Sequence, residues 1–294
     1  MKKTAILRII IWSFTALLLT AMLVCGIVFN PLSYIGDDDW SFGVVGVIYR
    51  NADLYSVGSG TVTDAFEDIE INWGSGKINI EAYDGENTVI SEDNIENEKN
   101  RLRWRVEDGV LKIHHIAAGY RYGFSRIPKK DLTVKIPFGT AVGLKELSTD
   151  STSADVVISG ITASEKIKLN TVSGEVNLKG IRTAKLEIDT TSGNVTVDGE
   201  FSEIESESVS SDISIVSATP LKKLSCDSTS GNITLFLPES GGFALKTDTV
   251  SGDINCEFLT ASSKKDRRVY GDGSGDFKID TVSGDITVKK YRKQ

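Results

Sequence analysis

Apolar and polar residues alternate with period two over most of the chain beyond residue 60, which predicts β-strands rather than helices. The alternation falls into short copies, each with two limbs that meet at a Ser-Gly pair or its substitute. We call the glycine position of each copy its anchor. The seven anchors are Ala154, Gly174, Gly193, Ser211, Gly231, Gly252 and Gly284.

Three columns of these copies are apolar throughout. The column seven residues before the anchor holds Leu147, Ile167, Leu186, Ile204, Leu224, Leu245 and Phe277. The column two residues after it holds Val156, Val176, Val195, Ile213, Ile233, Ile254 and Ile286. The column four residues after it holds Ile158, Leu178, Val197, Ile215, Leu235, Cys256 and Val288. A strand this short cannot bury its apolar face alone, so we expect the copies to stack and share one core.

The spacing of the anchors supports a stacked array, since successive intervals are 20, 19, 18, 20, 21 and 32 residues. A period near twenty is typical of solenoids. We therefore predict an all-β fold, a β-solenoid of strand–bend–strand rungs resembling a single-stranded β-helix, in which each copy begins where the previous one turns back. The long last interval places an inserted loop or hairpin at residues 259–275.

The array begins earlier in a less regular form. Ile69 and Ile71 precede Gly76, and Ile78 and Ile80 follow it, at the offsets of the later copies. We predict an irregular β cap or first rungs over residues 64–137, and the regular solenoid over residues 138–294.

The N-terminal region differs in character. Residues 9–29 carry no charge, and 21 helical residues span about 30 Å, the thickness of a bilayer core. A cleaved signal peptide is the alternative, but bulky residues around Cys25 favour a retained anchor and argue against lipidation. We therefore predict a cytoplasmic basic end at residues 1–8, a transmembrane helix at 9–29 and a linker at 30–63.

Charge gives the expected orientation. Lys2, Lys3 and Arg8 precede the apolar segment, so the N-terminus should stay in the cytoplasm and the rest should lie outside the cell, in a single-pass membrane protein. Beyond residue 36 there are 30 basic and 41 acidic residues, a formal charge of −11. This balance argues against nucleic-acid binding, which requires concentrated positive charge.

Polar residues repeat around the anchor. A serine precedes it in all seven copies, an Asp, Glu or Asn follows it, and another lies four residues before it. Because the same polar residues recur in every copy, and a catalytic site needs one distinct set of groups, the pattern favours a structural role at the bends over catalysis. The alternative is a carboxylate ladder that binds Ca²⁺.

Other candidate chemistry is sparse. His114 and His115 are adjacent, so they should face opposite sides of a strand as exposed strand-end residues rather than share a metal. Cys226 and Cys256 point inward from opposite limbs and are predicted to be two buried thiols without a disulfide. No nucleophile-elbow, zinc-protease or phosphate-loop motif is present. We predict no catalytic residue, metal ligand or cofactor.

Basic residues cluster near the end of the array. One cluster comprises Lys264, Lys265, Arg267 and Arg268, and the other Lys289, Lys290, Arg292 and Lys293. They are either solvated ends or a contact for anionic polymer. A second possible contact is an irregular region with Trp104, Tyr120 and Tyr122, which could line a carbohydrate or peptide site.

The N-terminal apolar segment, "FEDIEINWGSGKINIEAYDG", "KDLTVKIP" and the repeated T-V-S-G-D-I motif together resemble a bacterial "putative adhesin" family of unknown function, which includes LiaG-like envelope proteins. The resemblance covers about residues 64–290. It implies a β-solenoid on the outer side of a bacterial membrane and no assigned site residues. Ala154 and Ser211 depart from the family glycine.

The sequence thus favours a non-enzymatic, membrane-tethered protein that mediates interactions at the bacterial cell envelope, as an adhesin-like or stress-accessory protein. Its expected partners are an envelope protein or an anionic wall polymer, with its oligomeric state left open. The alternatives are a polysaccharide-acting enzyme and a calcium-stabilised scaffold.

Overall fold

A computed structural model describes residues 40–43, 46–95, 97–119, 127–264 and 267–292. These residues form an all-β fold whose only α-helix among them, α1, spans Phe138–Ala141. Two 3-10 turns span Ala52–Leu54 and Glu98–Asn100. The predicted transmembrane helix at 9–29 lies outside the described residues. Within the described ranges, no helix has the length and apolar character needed to cross a membrane.

The strands before the regular array include several in the predicted linker and cap. They are β1 Trp40–Gly43, β2 Gly46–Tyr49, β3 Ser56–Val57, β4 Gly60–Val62, β5 Asp68–Tyr83, β6 Thr88–Asp93, β7 Arg103–Glu107, β8 Val110–His114 and β9 Lys130–Pro137. β1 and β2 form a separate antiparallel pair. The predicted linker 30–63 therefore contains strands β1 to β4.

The remaining strands build the array. They are β10 Leu144–Ser159, β11 Thr162–Ser173, β12 Val176–Ser192, β13 Val195–Ser210, β14 Ile213–Ser217, β15 Lys223–Ser230, β16 Ile233–Leu237, β17 Phe243–Ser251, β18 Ile254–Cys256, β19 Thr260–Lys264, β20 Arg267–Tyr270, β21 Gly275–Ser283 and β22 Ile286–Lys290.

Each rung has a first limb before its anchor and a second limb after it, and equivalent limbs of successive rungs pair in parallel. Leu147 lies opposite Ile167, Ile167 opposite Leu186, and Leu186 opposite Ile204. These registers confirm the sequence alignment of the copies. The apolar columns face one another between the limbs as a single buried core.

The predicted sequential order of rungs is wrong at the end of the array. β15 pairs with β21 rather than with β17, and β17 pairs with the far side of β21. The C-terminal rung (β21 and β22) is therefore inserted between the rung of Gly231 and the rung of Gly252. As a result, the two identical D-T-V-S-G-D-I segments stack directly on each other, with Asp248 opposite Asp280.

The order also differs from the sequence at the start. β5 pairs in parallel with β10 on one side and with β8 and β9 on the other. Antiparallel strands then close this end: β7 followed by β3 on the first limb, and β6 followed by β4 on the second. These added strands cover the core where the parallel rungs stop.

Glycine at most anchors has two physical reasons. Gly193 has φ +116°, a conformation that L side chains rarely adopt. In addition, a Cβ at Gly193 would lie only 2.0 Å from the carbonyl oxygen of Gly174 in the next rung. Ala154 and Ser211 are absent from the described residues with positive φ, so their bends use an ordinary backbone conformation.

Candidate functional site

An acidic row follows the outer face of the first limb, four residues before each anchor. In spatial order it contains Asp150, Asn170, Asp189, Glu207, Asp227, Asp280 and Asp248. Two contacts moderate the charge. The side-chain amide of Asn170 donates to Asp150 Oδ1 at 2.6 Å. Lys278 Nζ lies 2.9 Å from both Asp227 Oδ1 and Asp280 Oδ2.

The middle of the row concentrates negative charge. Partial removal from water, reinforced by the carboxylate of Glu207, raises the pKa of Asp189 to about 6. Burial likewise raises the pKa of Glu207, with Asp227 adding to the effect. No three His, Cys, Asp or Glu side chains of the described residues are grouped so that they could hold a metal ion. The calcium alternative therefore gains no support from the donor geometry of this row.

The polar residue directly after the anchor has a structural role. Its side-chain oxygen accepts a hydrogen bond from the backbone amide of the equivalent residue one rung further along. Five such bonds are formed: Glu175 N to Asp155, Asp212 N to Asn194, Asn232 N to Asp212, Asp285 N to Asn232 and Asp253 N to Asp285. The repeated carboxylates and amides thus cap the bend, as turn chemistry predicts.

A second polar row lies three residues after the anchor, on the outer face of the second limb. Its members are Asn177, Thr196, Ser214, Thr234, Thr287 and Asn255. These hydroxyl and amide side chains are exposed or half-exposed, whereas the residues on either side of them in each strand point into the core. A shallow groove of about 320 Å³ runs between this row and the capping row, lined by residues including Asn194, Thr196 and Asp212. We call this surface the hydroxyl face.

The two histidines correct the sequence prediction, since both are buried with 1% exposure rather than exposed at a strand end. They do face opposite sides. The His114 ring stacks on Tyr49 with centroids 4.1 Å apart, and its Nε2 lies 3.3 Å from the Tyr55 hydroxyl. The His115 ring packs edge-on against Trp73, and burial lowers its pKa well below the usual range.

The cysteines are both free, as predicted, but only one is fully buried. Cys226 is 0% exposed, and burial raises the pKa of its thiol to about 12. Cys256 is partly exposed because it lies in the last rung of the stack, where no further rung covers it within the described residues. The prediction of two buried thiols is therefore wrong for Cys256.

A buried ion pair in the cap was not predicted. Lys130 Nζ donates to Glu92 Oε2 at 2.8 Å, and both side chains are 0% exposed. The same ammonium group donates to the backbone carbonyls of Asn100 and His115. The alternation of inward and outward residues could have predicted that Glu92 points inward, since it follows the inward Ile90 by two residues. Lys130 similarly precedes the inward Leu132 by two.

Several other predicted contact residues are used by the fold or lie outside the described part. Trp104 Nε1 donates to the Gly58 carbonyl at 3.0 Å and holds the cap turn. Arg267 pairs with Asp276, and Lys290 pairs with Glu239. Tyr120, Tyr122, Lys265, Lys293 and the Lys264 side chain are not among the described residues.

The structure is that of an all-β repeat protein with solenoid-like stacking. Its parallel rungs stack on one another, side chains cap its bends, and antiparallel strands close one end. The chain belongs to the Toastrack DUF4097 family, which matches residues 61–289. This confirms the resemblance stated from the sequence. No curated protein matches the chain.

Three solved structures are similar over most of their length. A "putative adhesin" from Bacteroides fragilis is 16% identical, with 80% of this chain and 97% of that chain covered and a TM-score of 0.45. A "putative lipid binding protein" from Parabacteroides distasonis is 17% identical, with 81% and 97% covered and a TM-score of 0.41. A "putative adhesin" from Parabacteroides merdae is 15% identical, with 81% and 96% covered and a TM-score of 0.35. These sequence identities and TM-scores are too low for the three structures to define the detailed fold or a ligand of this chain.

Proposed function

We propose that this chain is a non-enzymatic interaction protein of the bacterial cell envelope, tethered by residues 9–29 with the rung stack outside the cell. The uncharged apolar segment after a basic end supports the tether and the orientation. The formal charge of −11 beyond residue 36 fits a soluble, exported body.

The observation that carries the proposal is the hydroxyl face. Its side chains have donors and acceptors directed outward, one in each of the six rungs whose anchors run from Gly174 to Gly252 in spatial order, so this row repeats at the strand spacing of about 4.8 Å; the rung of Ala154 has Val157 at this position. A surface with this repeat suits an extended ligand that itself repeats along its length. A linear glycan of the envelope has such a repeat and many hydroxyl partners.

Charge narrows the class of ligand. The capping row beside the hydroxyl face includes Asp155, Glu175, Asp212, Asp285 and Asp253, all exposed. An anionic polymer laid along this face would meet these carboxylates at close range. A neutral glycan is therefore a better fit to this face than the anionic wall polymer expected from the basic clusters.

The test is binding of the purified full-length chain, in detergent micelles, to immobilised neutral and anionic wall polysaccharides. The double variant Thr196→Val/Thr234→Val removes two outward hydroxyls and should weaken neutral-glycan binding about tenfold. The matched control is Thr191→Val/Thr229→Val, which changes the same two rungs on the other limb and should bind like the unaltered chain. Equal binding by both double variants would exclude the hydroxyl face as the site.

Localisation needs its own test. External protease added to intact bacteria that express the full-length chain should degrade the rung stack and leave a short membrane-bound N-terminal fragment. Recovery of the whole chain in the soluble fraction of lysed cells would contradict the tether.

A polysaccharide-acting enzyme is the second candidate, favoured by the adjacent carboxylates of Asp189 and Glu207 and by their raised pKa values. Such a pair resembles the acid and base of a glycosidase, although it lies on an open face rather than in a cleft. Release of reducing sugar from wall glycans, abolished by Asp189→Asn, would favour this candidate over the first.

A further inference from the structure

The two ends of the rung stack differ in how far other strands cover them. At the N-terminal end, antiparallel strands close both limbs beyond β8 and β9. At the other end, the last rung consists of β17 and β18, and the hairpin of β19 and β20 pairs only with Phe243–Leu245. Within the described residues, Lys246–Ser251 and β18 have no strand on their outer side. With respect to the described strands, the outer edge of this rung is therefore free for backbone pairing.

The core is also incompletely covered at this end. Ile254 and Cys256 are partly exposed, whereas Ile286 and Val288, their counterparts one rung below, are 0% exposed. Thr247 is half-buried, whereas its counterpart Ile279 is 0% exposed. Val250 is 46% exposed. A stacked array needs a cover over its terminal rung, and native proteins seldom leave a long edge unprotected.

The capping row stops at the same place. In five of the six steps along the row, the side chain after the anchor accepts the backbone amide of the next rung, and the last of these bonds has Asp253 N donating to Asp285 Oδ1 at 2.8 Å. Asp253 is the last member of this row, and its own carboxylate is exposed. No rung above it supplies an amide within the described part of the chain. Its carboxylate is thus positioned to accept the amide of one further rung.

We infer that the outer edge of β17 and β18 is a β-addition site, which accepts a strand–bend–strand segment of a partner protein as the next rung of the stack. Addition of a strand to a free sheet edge is a general mode of peptide recognition. Hydrogen bonds to the backbone edge would provide the binding affinity. Contacts with Asp253 and the half-exposed core residues would fix the register of the added segment. This site lies at the end of the stack, where it adjoins Asn255, the last member of the hydroxyl face, and it uses the backbone edge rather than the outward side chains of that face.

The chain itself shows which segment fits. The outer edge belongs to a D-T-V-S-G-D-I segment, and the same seven residues at 280–286 already stack on its inner edge in register. Gly252 approaches the rung below so closely that a Cβ there would lie 2.1 Å from the Gly284 carbonyl oxygen. An added segment with the same bend therefore needs glycine over Gly252, followed by a residue with a free backbone amide.

Charge adds one further requirement. Lys278 donates across a rung boundary to Asp227 Oδ1 at 2.9 Å, from a position two residues before its own Asp280. In the last rung, Asp248 occupies the position equivalent to Asp227. A lysine in the added segment, at the position equivalent to Lys278, would meet Asp248 in the same way. The partner segment therefore combines a lysine, a Ser-Gly bend and apolar residues at alternate positions.

The probe is a fluorescent synthetic peptide with the sequence of residues 276–290, titrated against the full-length chain in detergent micelles. We expect saturable one-to-one binding, weakened about tenfold or more when the peptide carries Gly284→Ala. Asp253→Ala and Asp248→Ala in the protein should each weaken binding about fivefold to tenfold. Asp198→Ala, an exposed aspartate on the second limb away from the end, should leave binding unchanged.

A second measurement does not depend on these variants. A segment stacked on the last rung would cover Cys256, so saturating peptide should slow alkylation of that thiol severalfold, and the Gly284→Ala peptide should not. Absence of saturable binding, or binding insensitive to Asp253→Ala and Asp248→Ala, would overturn the inference. Cross-links joining the last rungs of two copies in the purified chain would also overturn it, since the occupant would then be a second copy.

Discussion

Lys130 and Glu92 form an ion pair that is completely shielded from water, with Nζ and Oε2 2.8 Å apart inside the cap. The pair connects β9 to β6, its antiparallel neighbour on the second limb. Lys130 also lies 4.9 Å from the centre of the Trp73 ring, and its backbone carbonyl accepts a hydrogen bond from Trp73 Nε1. Lys130 therefore connects β6 and β9 of the cap to Trp73 in β5, the strand on which β9 stacks.

Removal of one partner should be costly. Glu92→Gln leaves the Lys130 ammonium buried without a counter-charge, so the free energy of unfolding should fall by about 3–5 kcal/mol. The double variant Glu92→Leu/Lys130→Met replaces the pair with apolar groups and should recover part of this loss, because the Asn100 and His115 carbonyls and the Leu102 amide then lose their bonds to Lys130 and Glu92. Urea unfolding monitored by circular dichroism measures both. A double variant as unstable as Glu92→Gln would show that the pair itself, rather than the uncompensated charge, holds the cap.

The rows of the regular rungs were predictable because inward and outward residues alternate strictly in each limb. Leu147, Ile167 and Leu186 meet across rungs at the registers that the sequence alignment gives. The order of the last two rungs was not predictable. Both contain D-T-V-S-G-D-I, so the columns within this motif fit equally well whether the rung of Gly252 or the rung of Gly284 follows the rung of Gly231. The column just before the motif differs, with Thr247 in one rung and Ile279 in the other, but this column also holds the buried Thr149 and Ser206 and so does not decide the order.

The cap was the least predictable part. His114 was expected at an exposed strand end, but Tyr49 and Tyr55, from the segment predicted as linker, pack against the side of β8 that the core does not cover. Contacts of this kind join residues about sixty positions apart and leave no periodic signal in the sequence. The sequence predicted that the residue after the anchor hydrogen-bonds to a backbone amide at the bend. It did not predict which amide, because the amide belongs to the next rung and the order of the rungs is known only from the structure.

A comparison of Gly180, which is not an anchor, with the anchor Gly193 separates the backbone strain of a substitution from its steric collision. Gly180 has φ +61° and open space around its Cα, so Gly180→Ala should lose about 1–2 kcal/mol of stability from backbone strain alone. Gly193→Ala adds a collision with the Gly174 carbonyl and should lose about 3 kcal/mol or more. Thermal and urea unfolding of the two variants provides the comparison. Equal losses would mean that rungs separate readily at the bend.

The two described cysteines should differ in reactivity. A thiol reagent applied to the native chain should modify Cys256, because it is partly exposed in the last rung. Cys226 should react only after unfolding, since it is fully buried and burial raises the pKa of its thiol to about 12. Peptide mapping by mass spectrometry distinguishes both from Cys25. Modification of Cys226 at the rate of Cys256 would contradict the buried core.

The acidic row should make the protein more stable in mild acid. Asp189 has an ordinary pKa near 3.9 in an unfolded chain and about 6 in the folded protein, so the folded state binds its proton more tightly. Stability should therefore rise as the pH falls from 7 through 6 and should level off below about 4. Because the Asp189 side chain is exposed, water and salt screen the effect to below about 1 kcal/mol.

The charges around Asp189 define the control for this prediction. Glu207 faces it from the neighbouring rung, Lys168 partly offsets the repulsion, and Glu187 and Glu205 add to it. Asp189→Asn should raise stability at pH 7 and flatten the change between pH 7 and 4.5, whereas Asp198→Asn on the other limb should alter neither. The difference should shrink in 1 M salt, where the screening length is about 3 Å. If Asp189→Asn instead lowered stability at pH 7, the carboxylate would be making a favourable contact in the folded protein, and neither its partial desolvation nor the neighbouring negative charges would destabilise the folded state as its raised pKa implies.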